Sequence, residues 1–285
     1  MILQENYTLS NGVEIPKLGL GTWFISDEDS VQAVVDALKI GYRHIDTAQA
    51  YQNESGIGRG IVASGIDRKE LFITTKLAAE VKSYEEAVQS IEGSLERMGL
   101  DYIDLMIIHS PKPWADFLGD ESFAKGNQEA WKALEEAYKA GKIRSIGVSN
   151  FEKSDIENIL ETATVKPMVN QILAHISNTP QDLIDYCNAQ DILVEAYSPI
   201  GHGEILKNEE IKAIADKYEV SIPQLAIRYC VELGLLPIPK TANPKHMKSN
   251  AAIDFTISTE DLEKLISMEK IEHYGDASMF PVYAK

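Results

Sequence analysis

The chain has 285 residues, 44% of them apolar, and a formal net charge of −17. That length accommodates one large domain or two small ones, and the acidic balance argues against nucleic acid or an anionic membrane as partner, since both recruit basic surface. No run approaches the roughly 18 consecutive apolar residues of a membrane-spanning helix.

The first segment, Met1 to Asn6, has neither a basic stretch nor an apolar core, so no signal peptide is expected. An opening hairpin is predicted next, with Tyr7-Thr8-Leu9 and Val13-Glu14-Ile15 flanking Asn11-Gly12, a dipeptide that accepts the positive φ angles of a tight turn. Short apolar runs then alternate with helical patterns. The strand candidates are Leu18–Leu20, His44–Asp46, Leu71–Lys76, Ile103–His109, Ile143–Ser149, Met168–Ile172, Leu193–Ser198 and Leu235–Lys240.

Between them, Tyr84, Val88, Ile91, Leu95 and Met98 recur at helical steps of three and four. Trp131, Leu134, Ala137 and Tyr138 do the same, with Gly141 as the expected C-cap. Asn243-Pro244 places a capping side chain before a proline at the first helical position. A last helix is expected from Thr259 to Met268, leaving a tail to Lys285.

Strand and helix alternating with long crossovers imply a parallel sheet, and eight units in about 250 residues is the size of a (β/α)₈ TIM barrel. A doubly wound open sheet is the competing architecture. No linker or composition shift divides the chain, so residues 1–285 are read as one domain. Cys187 and Cys230 offer neither a disulfide framework nor zinc spacing, and the six histidines show no ligand pattern. A reducing cytoplasm is expected, and no metal.

Three successive runs end in an ionisable residue: Asp46, Lys76 and His109, with Tyr51 five residues after Asp46. In a parallel barrel all strand carboxyl ends point to one face, which carries the chemistry. Each residue alone has a bland explanation as a helix cap, a solvated strand end, a core histidine or a loop tyrosine. Their common placement makes a proton-donating site. Reducing a carbonyl by hydride transfer builds charge on its oxygen, so an acid must supply a proton. A tyrosine titrates near ~10 when free, and a cationic Lys76 beside Tyr51 is expected to lower that value by roughly 2 units, or about 3 kcal/mol. Asp46 would keep Lys76 charged and oriented.

The hydride requires a nicotinamide, since no side chain donates one. The dinucleotide fingerprint is absent: Gly56-Ile57-Gly58-Arg59-Gly60 has the wrong spacing and no preceding strand, and is read as loop and helix start. Barrels instead bind phosphate after the seventh and eighth strands, where this chain offers Ser198 and Gly201, then Lys240-Thr241.

The chain resembles the aldo-keto reductase family, of bacterial type, nearly end to end. The resemblance rests on Leu18-Gly19-Leu20-Gly21-Thr22-Trp23, on Gly41-Tyr42-Arg43-His44-Ile45-Asp46-Thr47-Ala48 with Tyr51, Asn53 and Glu54, and on Gly99 to Leu105 leading to His109. It continues through Gly141 to Phe151, Ala196-Tyr197-Ser198-Pro199 and Ile238-Pro239-Lys240. It implies reduction of aldehydes and ketones with NADPH, NADH being an alternative donor. Tyr51 would be the acid, Lys76 and Asp46 would tune it, and a neutral His109 would orient the carbonyl.

By the same resemblance, Gly21, Thr22 and Trp23 approach the cofactor, Ser149, Asn150 and Gln171 hold the carboxamide, and Tyr197 stacks under the ring. Lys240 and Thr241 hold the 2′-phosphate, and Asn250 the adenine. His246 stands where the family often has arginine, and Ser249 where it often has glutamate. Neutral imidazole is the poorer phosphate partner, so the expected NADPH preference is weak and improves below about pH 6.5.

For the substrate, Trp23, Phe24 and Trp114 are candidate walls beside Tyr51 and His109, with Met279-Phe280-Pro281 expected to fold over them. Ser110 replaces a tryptophan common in the family, implying a roomier pocket unless Trp114 refills it. Trp131 is read as core, and for His175 and His202 a place on the pocket rim is the weaker reading. Two rivals remain: a hydrolase using Asp46 and Glu54 as a carboxylate pair, and a regulatory protein that binds NADPH without turnover. A monomer acting on a small carbonyl compound is expected.

Overall fold

The computed structural model describes residues 1–284. Strands β1 (Asn6–Thr8) and β2 (Glu14–Pro16) form the expected antiparallel hairpin, with Tyr7 opposite Ile15. Of the Asn11-Gly12 pair expected to take positive φ angles, only Gly12 does. Leu9 N donates to Val13 O and Gly12 N to Leu9 O, so Ser10, Asn11 and Gly12 make a three-residue loop in which Gly12 alone takes a positive φ, 83°. Asn11 uses its side chain instead, accepting from Val13 N and donating to the Arg144 carbonyl. That bond ties the hairpin to the barrel.

Eight parallel strands follow in sequential order: β3 (Gly19–Gly21), β4 (His44–Asp46), β5 (Phe72–Leu77), β6 (Leu105–Ile108), β7 (Ile146–Ser149), β8 (Val169–Leu173), β9 (Leu193–Tyr197) and β10 (Leu236–Pro237). An isolated parallel bridge between Gly21 and Lys240 joins the first to the last, with Gly21 N donating to Pro239 O at 3.2 Å. Sequential order with a closing seam is a TIM barrel and excludes the doubly wound sheet. The seam needs glycine, because a Cβ on Gly21 would lie 2.7 Å from the Ile238 carbonyl oxygen and one on Gly19 2.7 Å from the His44 ring. β10 is shorter than the expected Leu235–Lys240 because Pro237 and Pro239 have no N–H for the ladder.

Side chains alternate along each strand. His44 and Asp46 on β4, with Phe72, Thr74 and Lys76 on β5, face the barrel axis, as the 2.9 Å contact between His44 Nε2 and Thr74 Oγ1 records. Thr75 faces outward and donates to Glu54 at 2.6 Å. Among the described residues ten helices surround the barrel: α1 (Asp27–Ile40), α2 (Glu54–Ser64), α3 (Tyr84–Met98), α4 (Ala124–Lys139), α5 (Lys153–Leu160), α6 (Gln181–Ala189), α7 (Glu209–Lys217), α8 (Ile222–Glu232), α9 (Pro244–Ala251) and α10 (Thr259–Ile266). None of them is long and apolar enough to cross a membrane.

Local chemistry explains the helix ends. Ser83 caps α3 by accepting from Glu86 N, and Gly99 ends it at φ 63°. Asn243 caps α9 by accepting from Lys245 N, ahead of Pro244. Gly141 lies one residue beyond the cap of α4, which is Ala140, and takes φ 77°. Trp131 is core, its indole donating to Val165 O at 3.0 Å.

The glycines at 56, 58 and 60 lie within α2, not in a loop before it. A Cβ at Gly56 would collide with the Asp27 carbonyl on α1, and one at Gly58 with the Met98 carbonyl at the end of α3. They let α2 sit against both neighbours. Gly58→Ala raises helix propensity by about 1 kcal/mol, yet is expected to destabilise the protein by about 1–3 kcal/mol net, because backbone must move. Denaturant midpoints of the two proteins check this; equal or higher stability of the variant would refute it.

Candidate active site

Lys76, at the carboxyl end of β5, is fully buried, and three oxygens surround its ammonium. Nζ lies 2.5 Å from Asp46 Oδ1, 2.9 Å from the Thr47 carbonyl and 3.2 Å from the Tyr51 hydroxyl. Tyr51 reaches that position on a short 3-10 turn, Gln49–Tyr51, whose last N–H bonds the Ala48 carbonyl at 3.0 Å. Gln49 anchors the turn through bonds to Ser90 O, Ser94 Oγ and Ala78 N. His109, one residue past β6, packs edge-on against Tyr51 at 5.7 Å between ring centroids. The four ionisable residues singled out in the sequence therefore meet.

Burial works against the charge on Lys76, but Asp46 and Tyr51 outweigh it and hold the ammonium's pKa above its ordinary value. Burial, reinforced by Lys76, drives His109 well below the usual histidine range, so it is neutral. Tyr51 corrects the expectation made from sequence. Burial raises its pKa above the ordinary tyrosine value, and Lys76 opposes this without reversing it. Asp46 adds to the rise: its carboxylate, 2.5 Å from the ammonium, partly compensates the cation that the phenol faces.

Above this group lies a cavity of about 490 Å³. One wall is polar. Ser149 Oγ donates to the Gln171 carbonyl at 2.8 Å, Asn150 Nδ2 to the His109 carbonyl at 3.1 Å, and the Tyr197 hydroxyl to Asn150 Oδ1 at 2.7 Å. Gln171 Nε2 donates to Asp46 Oδ2 at 2.9 Å and to Glu195 Oε2 at 2.7 Å. Both amide hydrogens are committed, so only the carbonyl of Gln171 is available to a ligand. Asn150 Nδ2 also donates to Ser149 Oγ at 3.1 Å, so the groups this wall leaves free are acceptors, which suit the amino group of a carboxamide.

The opposite wall is aromatic. Trp23 lies 4.3 Å from Phe24, 4.9 Å from Phe280 and 5.7 Å from His202, centroid to centroid. Trp114 packs on His109 at 5.0 Å and lines the cavity, whereas Ser110 is fully buried and does not line it. The tail folds over the opening as expected, through Phe280 and Pro281, while Met279 is 79% exposed and stands outside.

Gly21, Thr22, Ser198 and Lys240 also line the cavity. Gly201, Thr241, His246 and Asn250 do not; Gly201 turns the chain after β9, Thr241 accepts from Asn243 N, and His246 and Asn250 lie on α9, the former exposed. His202 reaches the rim, whereas His175 is buried below it with Nε2 3.0 Å from the Tyr274 hydroxyl.

Two residues escaped the sequence reading. Tyr283 places its hydroxyl 2.8 Å from Ser198 Oγ and its ring 4.6 Å from His202. No local pattern in the tail announces this. Glu195 did leave a signal: a charge within the otherwise apolar run Leu193 to Tyr197, at the same alternation as Tyr197. Glu54, the rival hydrolytic partner of Asp46, accepts from Thr75 and Arg97 behind the barrel wall and lines no part of the cavity.

Strain concentrates here. Of eight non-glycine residues with positive φ, four (Phe24, Asn150, Ser198 and His202) line the cavity. Asn53 holds the Phe24 loop by donating to the Thr22 and Ile25 carbonyls, each at 3.0 Å.

A closed (β/α)₈ barrel with an ammonium–phenol–imidazole cluster at its strand ends defines a TIM-barrel oxidoreductase. The sequence profile of the aldo/keto reductase family matches residues 17–270, and the chain belongs to that family and is an NAD(P)H-dependent enzyme. It is 42% identical over 275 residues to glyoxal reductase of Bacillus subtilis, covering 96% of each chain. It is 38% identical to glycerol 2-dehydrogenase (NADP(+)) of Saccharomyces cerevisiae, covering 93% of this chain and 91% of the other. The crystal structure of a Bombyx mori aldo-keto reductase in complex with NADP matches with a TM-score of 0.86 at 34% identity, over 99% of both chains.

Removing one partner of the buried pair strands the other. Lys76→Met is expected to cost about 3–5 kcal/mol of stability near neutral pH, read from denaturant unfolding. A loss below about 1 kcal/mol would show that Asp46 is not a buried anion in need of its partner.

Proposed function

We propose that the protein reduces aldehydes and ketones to alcohols with NADPH, Tyr51 donating the proton. The observation that carries this reading is the Lys76 ammonium shared between the Asp46 carboxylate and the Tyr51 hydroxyl at the floor of the cavity. NADPH, when bound, supplies the hydride.

Ser149, Asn150 and the Gln171 carbonyl would hold its carboxamide, Tyr197 its ring, and Lys240, Thr241 and His246 its 2′-phosphate, with Asn250 at the adenine. Gly21, Thr22, Ser198 and Gly201 would border the rest. Neutral His109 orients the substrate oxygen through Nε2, because its Nδ1 is buried without a partner. As charge builds on that oxygen, Tyr51 passes its proton to it, and Lys76 stabilises the phenolate left behind. Solvent returns the proton. A tyrosine held above its ordinary pKa remains a donor through the neutral range, which suits the direction of reduction.

Trp23, Phe24 and Trp114 would wall the substrate. The likeness to a glyoxal reductase supports 2-oxoaldehydes, methylglyoxal among them, as substrates to try. The protein is read as a single-domain cytoplasmic monomer; Cys187 and Cys230, buried and free, suit a reducing compartment.

Two measurements test the reading. Tyr51→Phe should lower kcat for NADPH-dependent reduction of methylglyoxal by roughly 10²–10⁴-fold while NADPH binding persists. A variant that keeps most of its turnover would remove Tyr51 from the role of acid. His246→Arg should widen the preference for NADPH over NADH, because guanidinium is the better phosphate partner. An unchanged preference in that variant would exclude a phosphate role for position 246.

A further inference from the structure

Glu195 is a fully buried carboxyl group on β9 with no cation in hydrogen-bond contact. Its Oε2 accepts from Gln171 Nε2 at 2.7 Å, and its Oε1 has no partner at all. The other hydrogen of the same amide goes to Asp46 Oδ2 at 2.9 Å. One glutamine side chain thus spans two acidic groups, one of which is already committed to Lys76.

Around Glu195, β4 contributes Asp46, β5 contributes Lys76 and β8 contributes Gln171, while its register partner on β10 is the apolar Leu236. The single ammonium in this group is compensated by Asp46. A second carboxylate would be an uncompensated buried anion, and such groups keep their proton. Burial pushes the Glu195 carboxyl up to about 8; Asp46 adds to the rise, and Gln171 and Lys76 oppose it.

We propose that Glu195 is a positioning residue that works as an uncharged acid: it holds Gln171 with its carbonyl turned to the cavity, and its ionisation sets the alkaline limit of the reaction. This rests on the reductase reading given above. When Glu195 ionises, the new anion draws the Gln171 amide and the Lys76 ammonium toward itself and admits water to the barrel floor. The carboxamide acceptor and the Tyr51–Lys76–Asp46 geometry then degrade together. Tyr51 cannot supply that limit, since burial holds its pKa above the ordinary value, and His109 is neutral throughout. The competing group is Lys82, which burial pushes down to about 8 and which donates to the Ser110 carbonyl at 2.9 Å, outside the cavity.

The test compares wild type, Glu195→Gln and Lys82→Met in kcat/KM for NADPH-dependent methylglyoxal reduction from about pH 6 to about pH 10, with thermal unfolding midpoints at both ends. Wild type should lose about tenfold per pH unit above about pH 8, and Glu195→Gln should stay level there. Lys82→Met should follow wild type. The midpoints carry an independent sign. A carboxyl that holds its proton only in the folded state loses stability as pH rises from its unfolded value toward its folded one, so Glu195→Gln should gain on wild type with increasing pH.

An unchanged alkaline limb in Glu195→Gln, its disappearance in Lys82→Met, or a midpoint difference constant with pH each overturns the proposal. So does a wild type with no limb below about pH 9, a result that requires no variant to fold. If wild type consumes no NADPH with any aldehyde, the reductase reading falls instead, while the midpoints still decide whether Glu195 holds its proton.

Discussion

The rest of the site depends on one buried ion pair, Lys76 with Asp46. Taking an ammonium and a carboxylate out of water costs several kcal/mol each, and only close geometry with further hydrogen bonds offsets it. Here every oxygen near the ammonium is used: Asp46 Oδ1, the Thr47 carbonyl and the Tyr51 hydroxyl. The other Asp46 oxygen binds Gln171, and Thr22 donates to the Asp46 carbonyl at 2.8 Å. Three strands and the loop carrying the aromatic wall are thereby referred to one charged centre. Burial holds the proton on Tyr51, and the same compensation by Asp46 weakens the opposing pull of Lys76.

The barrel can hold such a centre because its frame is closed without slack. Gly19 and Gly21 let the first strand approach the last, and the glycines of α2 let that helix sit on α1 and on the end of α3. With strands fixed in register, Asp46 on β4 and Lys76 on β5 point to the same axis from neighbouring ladders. Loops and the tail are placed around this frame. Phe24, Ser198 and His202 hold strained backbone on loops, and the tail is pinned over them through Tyr283 and Phe280. Rigid strands set the chemistry, while strained loops and the tail shape what reaches it.

Most of the fold was legible because its signals are local. Alternating apolar runs and helical spacings report on immediate neighbours, and caps such as Ser83 and Asn243 act within one turn. Strand ends were less legible, since Ile103 makes only a bridge to Ile143 and Pro237 and Pro239 interrupt a ladder that depends on partners elsewhere. At the turn, Gly12 takes the positive φ but Asn11 does not, and the Asn11 amide bonds the carbonyl of Arg144, 133 residues away in the chain.

By itself the sequence determined the element order, the barrel class and the residue types that end its strands, because side-chain chemistry and spacing are properties of the chain. Only the tertiary structure decided how those groups influence one another. Burial, with Asp46 adding to it, turns the expected depression of Tyr51 into a rise, Trp114 rather than Ser110 lines the cavity, and Glu195 becomes part of the site through one glutamine amide. Electrostatic influence depends on distance and on excluded water, and neither exists until distant segments pack together.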